Sequence, residues 1–308
     1  MSPMKSILPE PNSIRGFSTR PLTDGIIKPF VENLNGYWYD SIGNMAEPFG
    51  HTRWKGFSYE ELQAIKYKCV VMGILRGTER IIHTCWKNNI DYYYFDHAYQ
   101  FQAKLHNVDD FFKRRFYSVQ KNMLKVNYLL DLNNDDTRRI VKFKERMNKA
   151  PAGRDEMMSE HERPVYLVCP PTEAVARVYF INLNEWLNTA KRKINTLGGE
   201  IRYRFKDSRV NVDKDIRNAD VVVTCQSAIG ISAIQYGKPV ICDNISMCKP
   251  VGNKFDGDWT YENLFFPDQE LYWRWIDSLL ASQFDETEIG NGTAFEAVER
   301  LHNGINYT

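Results

Sequence analysis

The sequence of 308 residues lacks any apolar run of the roughly 18 residues that a membrane-spanning helix needs. It also lacks an apolar core near its N-terminus of the kind that secretion signals carry, so we expect a cytoplasmic protein. None of its six cysteines forms a CxxC pair. We therefore expect buried, reduced thiols rather than a disulfide framework or a zinc site.

The net charge is small, at +1, but its distribution along the chain is uneven. Residues 1–150 contain 23 Lys and Arg against 16 Asp and Glu, whereas residues 151–308 contain 17 against 23. A basic half beside an acidic half indicates a polyanionic partner for the first half. The alternative is the ordinary fluctuation of charge along a long chain, and charge alone leaves both open.

Strand and helix patterns alternate along most of the chain, which predicts an α/β fold with parallel sheets. In the first half, the pattern is a buried strand over residues 68–75, a helix over 79–88 and a strand over 91–95. The second half repeats this alternation with four short apolar segments, which are 165–169, 201–206, 221–224 and 239–242.

A loop rich in Pro, Gly and polar residues runs from residue 150 to about residue 163, and we place a domain boundary within it. We expect two Rossmann-like domains, 1–160 and 161–283. A final helical segment, 284–308, is expected to brace the two.

The most informative segment is 220–243, in which a buried strand leads at once into a helix. Thr224 ends the strand, Ser227 stands where a helix N-cap belongs, and Ala228 begins the helix. Free N–H groups and the positive helix end would there form a phosphate site, and Gly230 would let the backbone approach closely. The alternative is a serine that caps a helix with no ligand nearby.

Three cations alternate along the preceding predicted strand, 201–206, so that they share one face. Arg204 and Lys206 lie nearest its carboxyl end, where open α/β sheets bind ligands. We expect them to neutralise a diphosphate. The alternative is a solvated edge strand.

Two further loops follow predicted strands and belong to the same hypothesis. Pro171 and Thr172 follow the strand 165–169 and could close over a nucleotide. Arg76 and Gly77 follow the strand 68–75 and could either cap the next helix or contact acceptor or phosphates, with Gly77 permitting close backbone approach.

The segment 220–243 resembles the sugar-nucleotide half of GT-B glycosyltransferases, whose pattern is a strand, Thr/Ser-x-x-Ser, a helix and Gly-x-Pro-Val-Ile. The chain also resembles phage-encoded glycosyltransferases that modify hydroxymethylated bases in DNA. The segments that carry this narrower resemblance are Gly73–Thr78, Tyr93–Tyr99, Cys169–Thr172 and Ala281–Ala294.

The resemblance implies two Rossmann-like domains that face each other across a cleft. It implies a nucleotide-sugar co-substrate, with a UDP-sugar such as UDP-glucose favoured, and no tightly bound cofactor or metal. The acceptor would be DNA that contains a hydroxymethylated pyrimidine, in the cytoplasm of a phage-infected bacterium. No membrane partner is expected.

Asp96 and His97 directly follow a predicted strand in the first half. An inverting transfer needs a general base for the acceptor hydroxyl. The resemblance puts a carboxylate base in this half, so Asp96 is the first candidate and His97 the second. The alternative is a turn-capping aspartate beside a half-buried imidazole.

A basic segment over residues 113–125 interleaves cations with aromatic rings, which suits phosphates and a stacked or flipped base. The predicted DNA-binding residues are Arg114, Arg115, Phe116, Tyr117 and Lys121. The alternative is a solvated charged face.

The sequence therefore predicts a glycosyltransferase that moves a sugar from a nucleotide-sugar to the hydroxymethyl group of a pyrimidine in DNA. The first alternative is a transferase of surface-polysaccharide or teichoic-type polymer synthesis. The second is a GT-B-like module that binds DNA without catalysis. Salt-dependent DNA binding would distinguish a DNA acceptor from a polymer.

Overall fold

A computed structural model describes residues 13–17, 21–39, 62–63, 65–75, 77–99, 116–144 and 162–303. The chain divides into two compact units. The first unit comprises residues 1–124 and 283–308, and the second comprises 125–282. The boundary expected near residue 160 therefore lies further towards the N-terminus, because the helix over residues 134–144 packs within the second unit.

The strands are β1 (Ile14–Phe17), β2 (Tyr37–Tyr39), β3 (Lys68–Met72), β4 (Tyr92–His97), β5 (Phe116–Lys121), β6 (Val165–Cys169), β7 (Glu200–Tyr203), β8 (Val221–Thr224), β9 (Val240–Cys242), β10 (Asn253–Lys254) and β11 (Gln283–Asp285). The α-helices are α1 (Pro21–Asn33), α2 (Thr78–Asn88), α3 (Asn134–Lys144), α4 (Glu173–Val178), α5 (Leu183–Thr196), α6 (Val212–Arg217), α7 (Ile229–Gln235), α8 (Gln269–Ala281), α9 (Glu286–Gly290) and α10 (Thr293–Leu301). The α/β class predicted from the sequence is confirmed.

The first unit contains a six-stranded sheet of order β2-β1-β3-β4-β5-β11. The first four of these strands are parallel, and β5 and β11 are antiparallel to their neighbours. The chain proceeds outwards in opposite directions from the central pair β1 and β3, which is the doubly wound plan.

Helices cover both faces of this sheet. On one face, the α1 ring of Phe30 contacts the rings of Tyr93 and Phe95, with centroids 5.5 and 5.0 Å apart. On the other face, the α2 indole of Trp86 donates to the hydroxyl of Tyr92 at 2.9 Å. The contacts alternate because neighbouring strand residues project to opposite faces.

The C-terminal helix α10 packs against β5 of the first unit. Its Glu299 accepts hydrogen bonds from the Tyr93 hydroxyl and, at 2.9 Å, from the Lys121 ammonium. The expected C-terminal helix is therefore present, and these contacts attach it to the first sheet.

The second unit contains a five-stranded, entirely parallel sheet of order β10-β9-β8-β6-β7. Its core on one face includes Trp186, Ala190 and Ile194, which recur every four residues along α5 and so form one apolar stripe. The Trp186 ring stacks on the Phe255 ring, with centroids 4.7 Å apart. The strand expected over residues 201–206 is shorter, since β7 ends at Tyr203.

All six cysteines are buried, as expected from the sequence, and their thiols are free. Burial raises the pKa of each of the four thiols in the second unit, those of Cys169, Cys225, Cys242 and Cys248. Such thiols are poor nucleophiles because the thiolate is the reactive form.

Candidate functional site

The second sheet has its topological switch point between β6 and β8. From β6 the chain turns towards β7 through α4, and from β8 it turns the opposite way towards β9 through α7. Cys169 and Thr224, the last residues of the two strands, are paired in register. Open α/β sheets bind ligands in the crevice that forms where neighbouring loops diverge in this way.

The loop after β8 forms a tight turn. Thr224 is buried, and its hydroxyl accepts a hydrogen bond from the Ser227 N–H at 3.2 Å. The Ser227 carbonyl accepts from the Gly230 N–H at 3.0 Å, and its hydroxyl lies 3.4 Å from the Ile229 N–H. Thr224 therefore shapes the turn from below, while Ser227 and Ala228 are its exposed residues.

The N-cap of α7 is Ala228 rather than the expected Ser227. The difference is one residue, which is within the usual uncertainty of a helix boundary. The exposed hydroxyl and the first turn of the helix still occupy the position expected from the sequence.

Gly230 has a different role from the one expected. A Cβ atom at this position would lie 2.7 Å from the Cys248 sulfur and 3.5 Å from Thr224 Cγ2. The glycine is therefore required for close packing between α7 and the loop that contains Cys248. It is buried, so ligand approach to its backbone is not the reason for its presence.

Gln226 belongs to the same loop and was missed by the sequence interpretation. Its side chain is 7% exposed, and within the described residues its Oε1 atom has no hydrogen-bond partner. A buried amide oxygen without a partner costs about 1–3 kcal/mol, so a water molecule or a ligand N–H is expected to contact it. Only its position beside Ser227 could have indicated this role.

The loop after β6 contains Pro171 and Thr172 as expected. Pro171 is buried, and Thr172 caps α4, its hydroxyl accepting from the Val175 N–H at 3.4 Å. Two helices, α4 and α7, thus begin at the carboxyl ends of adjacent strands. Their N–H groups and the positive ends of their dipoles favour an anion at the switch point.

Arg204 is committed to contacts within the protein. Its N–H donates to the Val168 carbonyl at 2.9 Å. Its guanidinium donates to the Asp215 carboxylate and, at 3.0 Å, to the Val210 carbonyl. Arg204 therefore anchors the loop over residues 204–211, which corrects the expectation that its guanidinium faces a diphosphate.

Lys206 lies in that loop and is exposed. Because β7 ends at Tyr203, the period of two that was expected to align Arg202, Arg204 and Lys206 does not extend to them. Arg202 instead pairs with Glu200 at 2.7 Å on the strand itself.

Asp243, at the carboxyl end of β9, was also missed by the sequence interpretation. It accepts a hydrogen bond from the Trp186 indole at 2.8 Å. Burial raises the pKa of its carboxyl group, and hydrogen bonds from the Cys225 thiol and the indole oppose that rise. Asp243 joins the loop after β8 to α5 and so supports the switch point from its side.

In the first unit, Asp96 and His97 are the last two residues of β4 rather than residues that follow it. The Asp96 carboxylate accepts from the Tyr94 hydroxyl at 3.2 Å and from the His97 N–H at 2.8 Å. Consecutive strand residues project to opposite faces of the sheet. The structure therefore separates the two candidate base side chains.

Buried polar residues continue from Asp96 along the same face. In β5, Ser118 pairs with Asp96 and Gln120 pairs with Tyr94. Both are fully buried, and the Ser118 hydroxyl and the Gln120 amide have no hydrogen-bond partner in the part of the chain that the structure describes. Their alternation with apolar residues on one strand was the available sequence signal for a polar stripe beside Asp96.

The loop after β3 depends on glycines in the left-handed region. Gly73 has φ +71° and Gly77, the N-cap of α2, has φ +90°. The Thr78 hydroxyl donates to the carbonyls of Gly73 and Leu75, at 2.7 and 2.8 Å. Gly77 thus supplies a helix start, while Arg76 lies outside the described residues.

The expected DNA-binding surface is not formed by the described residues of its segment. Phe116 and Tyr117 lie within β5 and are 3% and 4% exposed, so their rings are not available for base stacking. Lys121 pairs with Glu299 at 2.9 Å and with Asp91 at 3.6 Å. The remaining two predicted residues, Arg114 and Arg115, lie outside the described residues.

Within the described ranges, no group of three or more His, Cys, Asp or Glu side chains is placed to hold a metal ion. The helices in those ranges are all too short or too polar to span a membrane.

Comparison with known proteins gives limited similarity. The chain matches no protein-family model and no curated protein in sequence. Two solved structures from Thermosulfurimonas dismutans are similar in fold. KpsC, beta Kdo 2,7 transferase, has a TM-score of 0.47 and 12% identity, covering 94% of this chain and 99% of that chain. KpsC, beta Kdo 2,4 transferase, has a TM-score of 0.41 and 11% identity, covering 89% and 91%.

Proposed function

We propose that the protein is a glycosyltransferase that uses a nucleotide-sugar donor. The observation that carries this proposal is the switch point of the second sheet. Two helices begin there at the ends of the paired strands β6 and β8, and an exposed Ser227 stands at the start of one of them. This arrangement suits the diphosphate of the donor.

The donor phosphates would contact the Ser227 hydroxyl and the N–H groups of the first turn of α7. Gln226, whose buried amide oxygen has no partner among the described residues, would accept a hydrogen bond from the donor. Thr224 acts indirectly by holding the turn. These groups would stabilise the negative charge that develops on the departing nucleotide as the sugar is transferred.

We assign the acceptor to the first unit and the general base to Asp96. The acceptor hydroxyl would give its proton to the Asp96 carboxylate as its oxygen attacks the anomeric carbon. The bond from that carbon to the phosphate oxygen breaks, and the nucleotide leaves with the bonding electrons. The Tyr94 hydroxyl orients the carboxylate. The GT-B resemblance implies the cleft in which donor and acceptor meet.

Two acceptor classes remain in the proposal. The sequence resemblance supports a hydroxymethylated pyrimidine in DNA, with a UDP-sugar as donor. Burial of Phe116 and Tyr117 and the ion pairs of Lys121 weaken the case for DNA. They favour the alternative acceptor, a hydroxyl group of a surface polysaccharide or teichoic-type polymer.

The test is intact-mass analysis after incubation with UDP-, GDP-, TDP- and CMP-linked sugars, the last including activated Kdo. The acceptors are oligonucleotides with hydroxymethylcytosine or hydroxymethyluracil, and short oligosaccharides. A sugar-sized mass gain on one acceptor supports the proposal and identifies its class. Failure to bind or hydrolyse any donor would contradict the proposal.

A further inference from the structure

Two aromatic rings are exposed at the carboxyl end of β7. Tyr203 is 45% exposed and Phe205 is 57% exposed. Their rings are stacked, with centroids 6.2 Å apart and an interplanar angle of 20°. The two rings therefore form one continuous, nearly flat apolar surface. Large side chains exposed together in this way frequently mark a binding site.

The loop that presents these rings is held in place by Arg204. The Arg204 N–H continues the pairing of β7 with β6 through the Val168 carbonyl. Its guanidinium joins the Asp215 carboxylate of α6 to the Val210 carbonyl at the far end of the loop. Because the loop is fixed at both ends, a ligand would lose little conformational freedom in ordering it.

Exposed cations accompany the rings. Lys206 and Arg209 are exposed in the same loop, which contains one acidic residue, Asp207. An aromatic surface beside mobile cations has the chemistry that recognises a planar base linked to phosphate groups. A purely apolar partner would not require the cations.

The location connects this surface to the switch point. β7 is the neighbour of β6, and β6 is the neighbour of β8. Two strand spacings amount to about 10 Å, so the rings lie beside the crevice in which the donor diphosphate is proposed to bind. A ligand with its phosphates at Ser227 could extend its base over β6 towards the rings.

We propose that Tyr203 and Phe205 form the stacking surface for the nucleobase of the donor, with Arg204 as a positioning residue. This inference rests on the proposed function, since it assumes a nucleotide donor. It replaces the earlier expectation that the end of this strand binds the diphosphate through Arg204.

The experiment measures binding by calorimetry of UDP, GDP, TDP, ADP and CMP, and of inorganic diphosphate as a probe without a base. Phe205→Ala removes one ring from the surface. We expect it to weaken the tightest-binding nucleotide about 5- to 100-fold and to leave the Kd of inorganic diphosphate unchanged. Phe205→Trp keeps a ring and is expected to retain nucleotide affinity.

Phe265→Ala is the matched control. Phe265 is 44% exposed, and its backbone is bonded to Asn253 of β10, at the opposite edge of the same sheet. This variant should bind nucleotides as the wild type does. Equal thermal midpoints of the three variants would confirm that each is folded.

Three results would overturn the inference. An unchanged nucleotide Kd in Phe205→Ala excludes base stacking, including the case in which only the KM for an acceptor rises. An equal loss of nucleotide and diphosphate binding assigns the loop to the phosphates. If the wild type binds no nucleotide, the proposed function fails together with the inference, which distinguishes that outcome from the other two.

Discussion

In the first sheet, the loop that leaves β3 is shaped by glycines, whereas in the second sheet the loops that leave β6 and β8 are shaped by side-chain hydroxyls. Gly73 and Gly77 adopt the left-handed region, which places backbone without a side chain at the edge. Thr172 and Thr224 instead bond to backbone N–H groups of their own loops.

The two sheets also differ in where their unpaired polar groups lie. In the first, Ser118 and Gln120 are buried within a strand, on the face shared with Asp96. In the second, Gln226 is buried at the strand end itself. The same doubly wound plan thus supports a polar stripe along a face in one unit and a compact polar edge in the other.

The largest expected effect separates Asp96 from His97. Asp96→Asn removes the proposed base, and we expect turnover to fall by about 10²- to 10⁴-fold while donor binding is retained. His97→Ala is the matched control, because its side chain projects to the opposite face, and it should keep most of the activity. Steady-state kinetics with calorimetric donor binding check this, and wild-type turnover of Asp96→Asn would remove Asp96 from the mechanism.

A pH effect on stability is expected in the first unit only. Burial lowers the pKa of His302 to about 4, assisted by the nearby charge of Lys121 and opposed by that of Glu299. The unfolded imidazole has a pKa of about 6.5, so the unfolded chain takes up the proton first as the pH falls. The stability from neutral His302 is therefore present above about pH 6.5 and is lost towards pH 4, by up to about 3 kcal/mol.

Denaturant unfolding of the wild type and His302→Gln between pH 7 and pH 4 measures this effect. The substitution should flatten the pH dependence of the transition of the first unit. Identical slopes for the two proteins would show that other groups cause the acid sensitivity.

Comparison of two glycines tests packing in the two units. Gly230→Ala places a Cβ 2.7 Å from the Cys248 sulfur, and we expect a loss of about 1–3 kcal/mol in unfolding free energy together with weaker donor binding. Gly25→Ala in α1 meets nothing within 4 Å and is expected to be neutral or stabilising by about 0.4–1 kcal/mol. Urea titrations compare the two, and equal losses would contradict the packing role of Gly230.

The smallest expected effect concerns the two arginines of β7 and its loop. Arg204→Ala releases the loop over residues 204–211 and should weaken nucleotide binding several-fold. Arg202→Ala breaks an exposed pair with Glu200, for which about 0–1 kcal/mol of stability and no binding effect are expected. Calorimetry with the tightest nucleotide distinguishes them, and a larger effect from Arg202 would reverse the assignment.

The sequence interpretation succeeded where the pattern is local. Buried β-branched runs such as Val221–Val223 identify strands, and the residues that follow them lie at the switch point because parallel strands end at one edge. It was wrong where long-range pairing decides. Phe116 and Tyr117 adjoin a basic run, but pairing of β5 with β4 and β11 buries them.

Contacts distant in sequence also decided the roles of single residues. Arg204 is bonded to residues six and eleven positions away, so its charge was visible in the sequence but its partners were not. Gln226 and Asp243 gained significance only through burial and neighbours.

By itself, the sequence determined the α/β class, the strand-to-helix turn at Thr224–Ser227 and the burial of the six cysteines. These depend on residue spacing and hydrophobicity, which act over a few positions. The tertiary structure alone decided that Arg204 anchors a loop, that Gly230 serves packing and that Tyr203 and Phe205 form an exposed surface. Those outcomes depend on which strands lie side by side, and strand order is set by the packing of the whole sheet.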